Sequence, residues 1–213
     1  MHFEVGFGVL VACEPYIQAT SRAFYLTFAQ LLFKLLEDMA LKKKKASESL
    51  TTMTELVLPN DTNTLNNLMG GHLMYLMDIC GAIAAQKHSN RVVVTASVDN
   101  ISFKEPIALG DVVTIKAHVS RAFNSSMEVY LEVTAGNIPQ GTMRETNKAF
   151  FTFVAVDQSG NTITVPELEP ETEEEKALYD GALRRRQLRL ILAGKMKPSD
   201  ATELKSLFDS SQG

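Results

Sequence analysis

After Gly70, Gly71 and His72 comes a run rich in Leu, Met, Ile and Ala that lasts to Ala85 and is broken by one acid, Asp78. Apolar residues on nearly every face predict a buried helix over roughly 70–88. At helical spacing Met74 and Tyr75 lie above Asp78, and Gly81 and Ala82 lie below it. A carboxylate among such neighbours loses hydration unless a polar group meets it. Gly81, Ala82, Ala84 and Ala85 are small enough to let another backbone approach. The rest of the fold must therefore supply cover for this helix and a reason for its acid.

The flanking segments read as strands. Residues 50–58 alternate polar and apolar and end at Pro59, which cannot donate to a sheet ladder. Asn60-Asp61-Thr62-Asn63 follows as a polar turn leading to the glycine pair. Residues 91–103 are rich in Val, Ile and Phe, and Pro106 and Gly110-Asp111 mark the turn after them. Three more strands are predicted at 112–123, 127–135 and 144–156. The turns between and after them are Asn124-Ser125-Ser126, Ile138 to Gly141, and Asp157 to Asn161. The order is strand, long helix, then four strands able to pair antiparallel. This pattern by itself supports only the α+β class.

The two ends differ in character. Residues 1–49 read as a leader outside the core. The apolar run Phe24 to Phe33 is too short for a membrane span, and the beginning lacks the basic region of a signal peptide. Met39 followed by ALKKKKASES resembles an ordinary start, so residues 1–38 are expected to be dispensable, and the lysines at 42–45 are expected to be solvated. After Val165 the composition shifts. Glu171 to Glu175 suit a helix N-terminus, Arg184 to Arg189 suit its other end, and Gly194 suits its C-cap. A short last helix is expected from a cap at Ser199 through Phe208. The chain thus divides into a leader at 1–49, a core domain at 50–165 and a tail at 166–213, with the tail helices docking on the domain or on a neighbouring subunit.

The formal charge of −4 over 213 residues gives no support to nucleic-acid binding. Two cysteines and four scattered histidines lack the spacing of a zinc site, so no metal or cofactor is expected. Cys80, inside the apolar helix, reads as a small buried hydrophobe. G-x-S-x-G, Walker A and dinucleotide-loop sequences are absent. Without a signal sequence or a span, the expected location is the cytoplasm.

Several strings then occur in a familiar order: DTN at 61–63, GG at 70–71, MD at 77–78, VVVTASVDNISFKEPIALGDVV at 92–113 and KAFFTFVAVDQSGN at 148–161. Together they resemble the hot-dog acyl-CoA thioesterases, in particular the YciA-type and brain-type cytosolic acyl-CoA hydrolases, over about residues 50–165. One departure is Asn66, where such enzymes often carry Gly. Asn tolerates positive φ, so the turn is expected to survive. The resemblance implies a curved antiparallel sheet wrapped around one central helix. It also implies an acyl-CoA substrate, and a homodimer at least, often a trimer of dimers, with sites at subunit interfaces.

The residues themselves leave two readings of Asp78 open: an inert acid hydrogen-bonded at an interface, or a reactive group. The resemblance assigns it as the general base or nucleophile, and a buried carboxylate is the stronger base. Asn63 is an ordinary turn residue by type. The resemblance puts it in the site, where it would orient water or polarise the thioester carbonyl. Gly70 and Gly71 permit close packing, and the N–H groups of the helix start can also form an oxyanion site. His72 precedes Asp78 by six residues, about 240° around a helix, so the two do not form a dyad within one chain. It is expected to pack or to form the wall of the site, with contact to substrate as the alternative. The basic cluster at Arg184 to Arg186 would either meet coenzyme A phosphates or remain a solvated helix end. Two alternatives stand beside hydrolysis. A hot-dog hydratase or dehydratase would need a histidine with an acid, and a non-catalytic acyl-CoA-binding regulator would need an added DNA-binding module.

Overall fold

A computed structural model describes residues 43–99, 101–103 and 105–209, which belong to one unit, Lys43–Gly213. The expectations for residues 1–38 and for Lys42 lie outside the described residues. In chain order the elements are β1 (Lys44–Lys45), α1 (Ala46–Ser49), β2 (Thr51–Leu56), α2 (Gly70–Ser89), β3 (Val92–Val98), β4 (Val112–Ala122), β5 (Ser126–Gly136), β6 (Arg144–Val156), β7 (Leu168–Glu169), α3 (Glu173–Leu192) and α4 (Thr202–Asp209). A five-stranded antiparallel sheet runs in the order β2-β4-β5-β6-β3, and α2 lies against all five strands. This is the hot-dog arrangement expected above, in the α+β class.

Strand alternation explains the core. Val129, Leu131 and Val133 of β5, with Phe151, Phe153 and Ala155 of β6, point inward and are buried. They meet Leu73, Leu76, Met77, Cys80, Ala84 and Ala85 of α2. Packing is tight at Gly81, where an added Cβ would lie 3.0 Å from the Phe153 ring.

The helix is not buried on every face, contrary to the expectation. Met74, Tyr75 and Ile83 are exposed, Tyr75 by 61%. One sheet can cover only one side of a helix, so the opposite apolar face is left open by the described residues. β3, at the edge of the sheet, likewise exposes Val92, Val94 and Val98.

Residues 44–49, which the sequence places in the leader, join the domain. β1 pairs parallel with β7. Ala46 and Ser49 are buried, and Ser49 Oγ accepts from the Val119 N–H at 2.9 Å. Lys44 Nζ donates to the Lys87 carbonyl at 2.7 Å and Lys45 pairs with Glu171 at 2.7 Å, so these lysines are not merely solvated.

In the tail, Thr172 caps α3 in a reciprocal capping box with Glu175. Gly194, at φ +68°, ends it, with bonds from Gly194 N–H to Ile191 O and from Lys195 N–H to Leu190 O. The predicted cap of the last helix is displaced: Ser199 Oγ bonds Asp200, and the helix begins at Thr202. On the outer face of the sheet, fully buried Glu128 binds Arg185 and Arg189 of α3 and so docks that helix.

Candidate active site

The turn before α2 is built by its own polar side chains. Asp61 Oδ2 accepts from the Leu58 N–H, and Asn63 Oδ1 accepts from the Leu65 and Asn67 N–H groups at 2.9 and 3.2 Å. Asn66 takes φ +56°, so the turn keeps its shape without glycine. Since Asn63 Oδ1 is committed to the turn, its Nδ2 is the end left to donate to a ligand. Met69 precedes α2 without a side-chain cap, and the first turn begins its ladder only at Leu73 N–H, which bonds Met69 O. The N–H groups of Gly70, Gly71 and His72 therefore lack intrahelical acceptors. Among the described residues nothing lies within 4 Å of where a Cβ on Gly71 would sit, whereas one on Gly70 would be 3.3 Å from the Phe103 ring.

A cleft of about 410 Å³ opens here, and Asn63, Gly70, Leu73, Phe103, Ile107 and Asn147 are among its walls. Asn147 is buried, its Nδ2 donates to Ser102 O at 2.6 Å, and its Oδ1 has no partner among the described residues. The structure thus brings Asn63 and Gly70 together.

Asp78 is not in that cleft. It sits eight residues into α2 from Gly70, about 12 Å along the axis. It is half-buried rather than buried, on the side of the helix toward β3. There Thr95 Oγ1 donates to Asp78 Oδ1 at 2.6 Å. The bond leaves Oδ2 without a described partner and fixes the carboxylate through one oxygen. Thr95 pairs with Phe153, so it shares the sheet face that carries α2, and the register shifts just after it, before Ser97. The sequence reading did not single out Thr95 or Asn147. The available signal for Thr95 was its parity with inward-facing Val93.

Among the other candidates, His72 Nδ1 lies 3.5 Å from Asp61 Oδ1 and its ring meets Tyr75 edge-on. It faces away from Asp78, as its spacing predicts. Burial pushes the Cys80 thiol up to about 11, and its Sγ lies in the apolar core 3.7 Å from the Thr51 and Ile115 carbonyls, which suits an unreactive core residue. His88 is buried with Nε2 2.8 Å from Pro166 O. His118 packs on Tyr130. Among the described residues no group of His, Cys, Asp or Glu is arranged to hold a metal.

Residues 65–142 match the thioesterase superfamily. The chain is 40% identical over 138 residues to the uncharacterised acyl-CoA thioester hydrolase YkhA of Bacillus subtilis, covering 65% of this chain and 80% of that protein. A crystal structure of an apo-hexameric acyl-CoA thioesterase superposes with a TM-score of 0.70 at 40% identity, covering 72% of this chain and 98% of the other. An acyl-CoA hydrolase from Staphylococcus aureus, solved with butyryl coenzyme A and coenzyme A, gives 0.66 at 37% identity, with 72% and 95% covered. Variants of that enzyme carry alanine in place of an asparagine, an aspartate and a threonine. The second position is fifteen after the first and the third seventeen after the second, which is the spacing of Asn63, Asp78 and Thr95 here. With this identity, coverage and shared fold, the chain belongs to the hot-dog acyl-CoA thioester hydrolases of the thioesterase superfamily.

Proposed function

We propose that this thioester hydrolase cleaves acyl-CoA by attack of water assisted by Asp78. The observation that carries the reading is the lone acid of α2, held through Oδ1 by Thr95, with Oδ2 left open and the helix face beside it uncovered among the described residues. Asp78 takes a proton as water adds to the carbonyl carbon. The oxygen that gains charge is met by N–H groups at the start of α2, at Gly70 and Gly71, and by Asn63 Nδ2. The C–S bond then breaks, the thiolate regains the proton, and the products are a fatty acid and coenzyme A. Thiolate is a good leaving group, so no separate strong acid is needed. His72 stands in the wall beside the bound acyl-CoA.

The separation of Asp78 from the Asn63–Gly70 cleft along one helix favours sites shared between chains. The open face of α2 and the unpaired edge of β3 supply apolar surface for a second copy. A homodimer, assembled as a trimer of dimers, is the expected form, in keeping with the hexameric relative. No described helix is long and apolar enough to cross a membrane.

The test is Asp78→Asn, followed by thiol release from acyl-CoA. A folded, assembled variant that has lost about 10²-fold or more of turnover is expected. Near wild-type turnover overturns the reading. Mixing Asn63→Ala with Asp78→Asn chains after joint unfolding tests the shared site. Mixed dimers should regain activity at the one site that carries neither lesion, and a confirmed mixed dimer without recovery would assign each site to one chain.

A further inference from the structure

Arg186 is a half-buried cation with no acid or hydrogen-bond partner among the described residues. Its neighbours on α3 are paired: Arg185 binds Glu128, and Arg189 binds Asp99 and Glu128. Arg186 instead lies over the Phe123 ring, 4.2 Å from its centroid. Burial, then the like charges of Arg189 and Arg121, lower its pKa. A cation in such a place is stable only if an anion or solvent meets it.

That anion has room. A pocket of about 360 Å³ lies between α3 and the outer face of β3 and β6, with Arg186, Arg189, Lys195, Ser97, Thr152 and Leu190 in its wall. Thr152 Oγ1 is buried there without a partner among the described residues. Lys195, fixed by the C-terminal turn of α3, brings a second cation with no described acid beside it. Asp99 and Glu128 are already bound to Arg185 and Arg189, and no described acid is among the pocket's lining residues, so the pocket is left positive. Val154 and Leu190 add apolar wall for a ring.

We propose that this pocket binds a nucleoside phosphate, its phosphate between Arg186 and Lys195 and hydrogen-bonded by Thr152. Ser97 pairs with Thr152 and faces outward, while Thr95 faces α2, so the pocket lies on the back of the strand that holds Asp78. The ligand is either the nucleotide end of an acyl-CoA bound to the assembled enzyme or a separate nucleotide bound behind the site. This inference does not rest on the role of Asp78, because binding is measured without turnover.

The test is calorimetric titration of the full chain with ADP and with inorganic pyrophosphate. Saturable binding at one site per chain is expected. Arg186→Ala should weaken it at least ten-fold and Thr152→Val several-fold, with melting temperatures preserved in the latter. Arg184→Ala, of equal charge change on the same helix but outside the pocket, should bind as wild type. No saturable binding, or equal binding by Arg186→Ala and Arg184→Ala, overturns the proposal. The source follows from kinetics. A raised KM of Arg186→Ala for acyl-CoA but not for acyl-pantetheine, which lacks the nucleotide, assigns the pocket to the substrate. An unchanged KM for both, with ADP binding lost, assigns it to a separate nucleotide.

Discussion

Replacing Glu128 by Ala should destabilise the domain by breaking the joint between the sheet and α3. Glu128 is fully buried, and both its oxygens are bonded. Oε1 accepts from Ser120 Oγ at 2.9 Å and Arg185 Nη2 at 2.7 Å, and Oε2 from Arg185 Nε and Arg189 Nη1 at 3.2 Å each. The two arginines would fare differently. Arg189 keeps Asp99 at 2.8 Å, whereas Arg185 keeps, among the described residues, only the Leu178 carbonyl at 2.7 Å and the Phe150 ring beneath it. Removing one partner of a buried ion pair costs about 3–5 kcal/mol, chiefly for the charge left behind. Arg185 has a side chain 25% exposed, so solvent relieves part of this and the lower end, about 3 kcal/mol, is expected. For a chain of this size that corresponds to a fall in Tm of roughly 6–12 °C. Urea and thermal unfolding at fixed chain concentration would measure it. The double variant Glu128→Met with Arg185→Met should recover most of the loss, because no charge is then stranded. A loss under about 1 kcal/mol in the single variant, or an equal loss in both, would refute the reasoning.

Thr95→Val should lower kcat by about 10-fold or more with little change in melting, since a bond to a charged group is worth about 1.5–3 kcal/mol; Thr95→Ser should restore it, and normal kcat in the valine variant would remove Thr95 from the site. Gly81→Ala should lower the urea midpoint, because overpacking against Phe153 costs about 1–3 kcal/mol against a helix-propensity gain of about 1; a raised midpoint would contradict it. Burial lowers the pKa of both His88 and His118, so the folded chain keeps them neutral where the unfolded chain takes up protons. Their contribution is present above about pH 6.5 and lost as pH falls toward the folded values, at up to about 1.4 kcal/mol per pH unit for each histidine. Replacing both by Gln should flatten unfolding free energy between pH 6.5 and 5.5, and an unchanged slope would assign the dependence to other groups.

Much of this molecule was legible in the chain because each element carries its own period. The alternation through Val129, Leu131 and Val133, the run after Gly71 and the polar turn at Asp61 to Asn63 report local conformation and one buried face. Asn66 could be read as a positive-φ residue because the family it resembles often carries Gly there and Asn tolerates that backbone. What lay beyond the sequence is contact between elements. Thr95 is seventeen residues from Asp78 and meets it only because β3 pairs with β6 beneath α2. Glu128 alternates with Met127 and Val129, so its parity suggests a solvated residue; it is buried because α3 lands on that outer face. Residues 44–49 read as leader because two short strands, β1 and β7, have no period long enough to register, and their pairing across the chain decides their place. The composition of α2 signalled burial on all sides, and one sheet covers one side. Periodicity records what a segment can bury, whereas the tertiary structure decides which surface arrives to bury it.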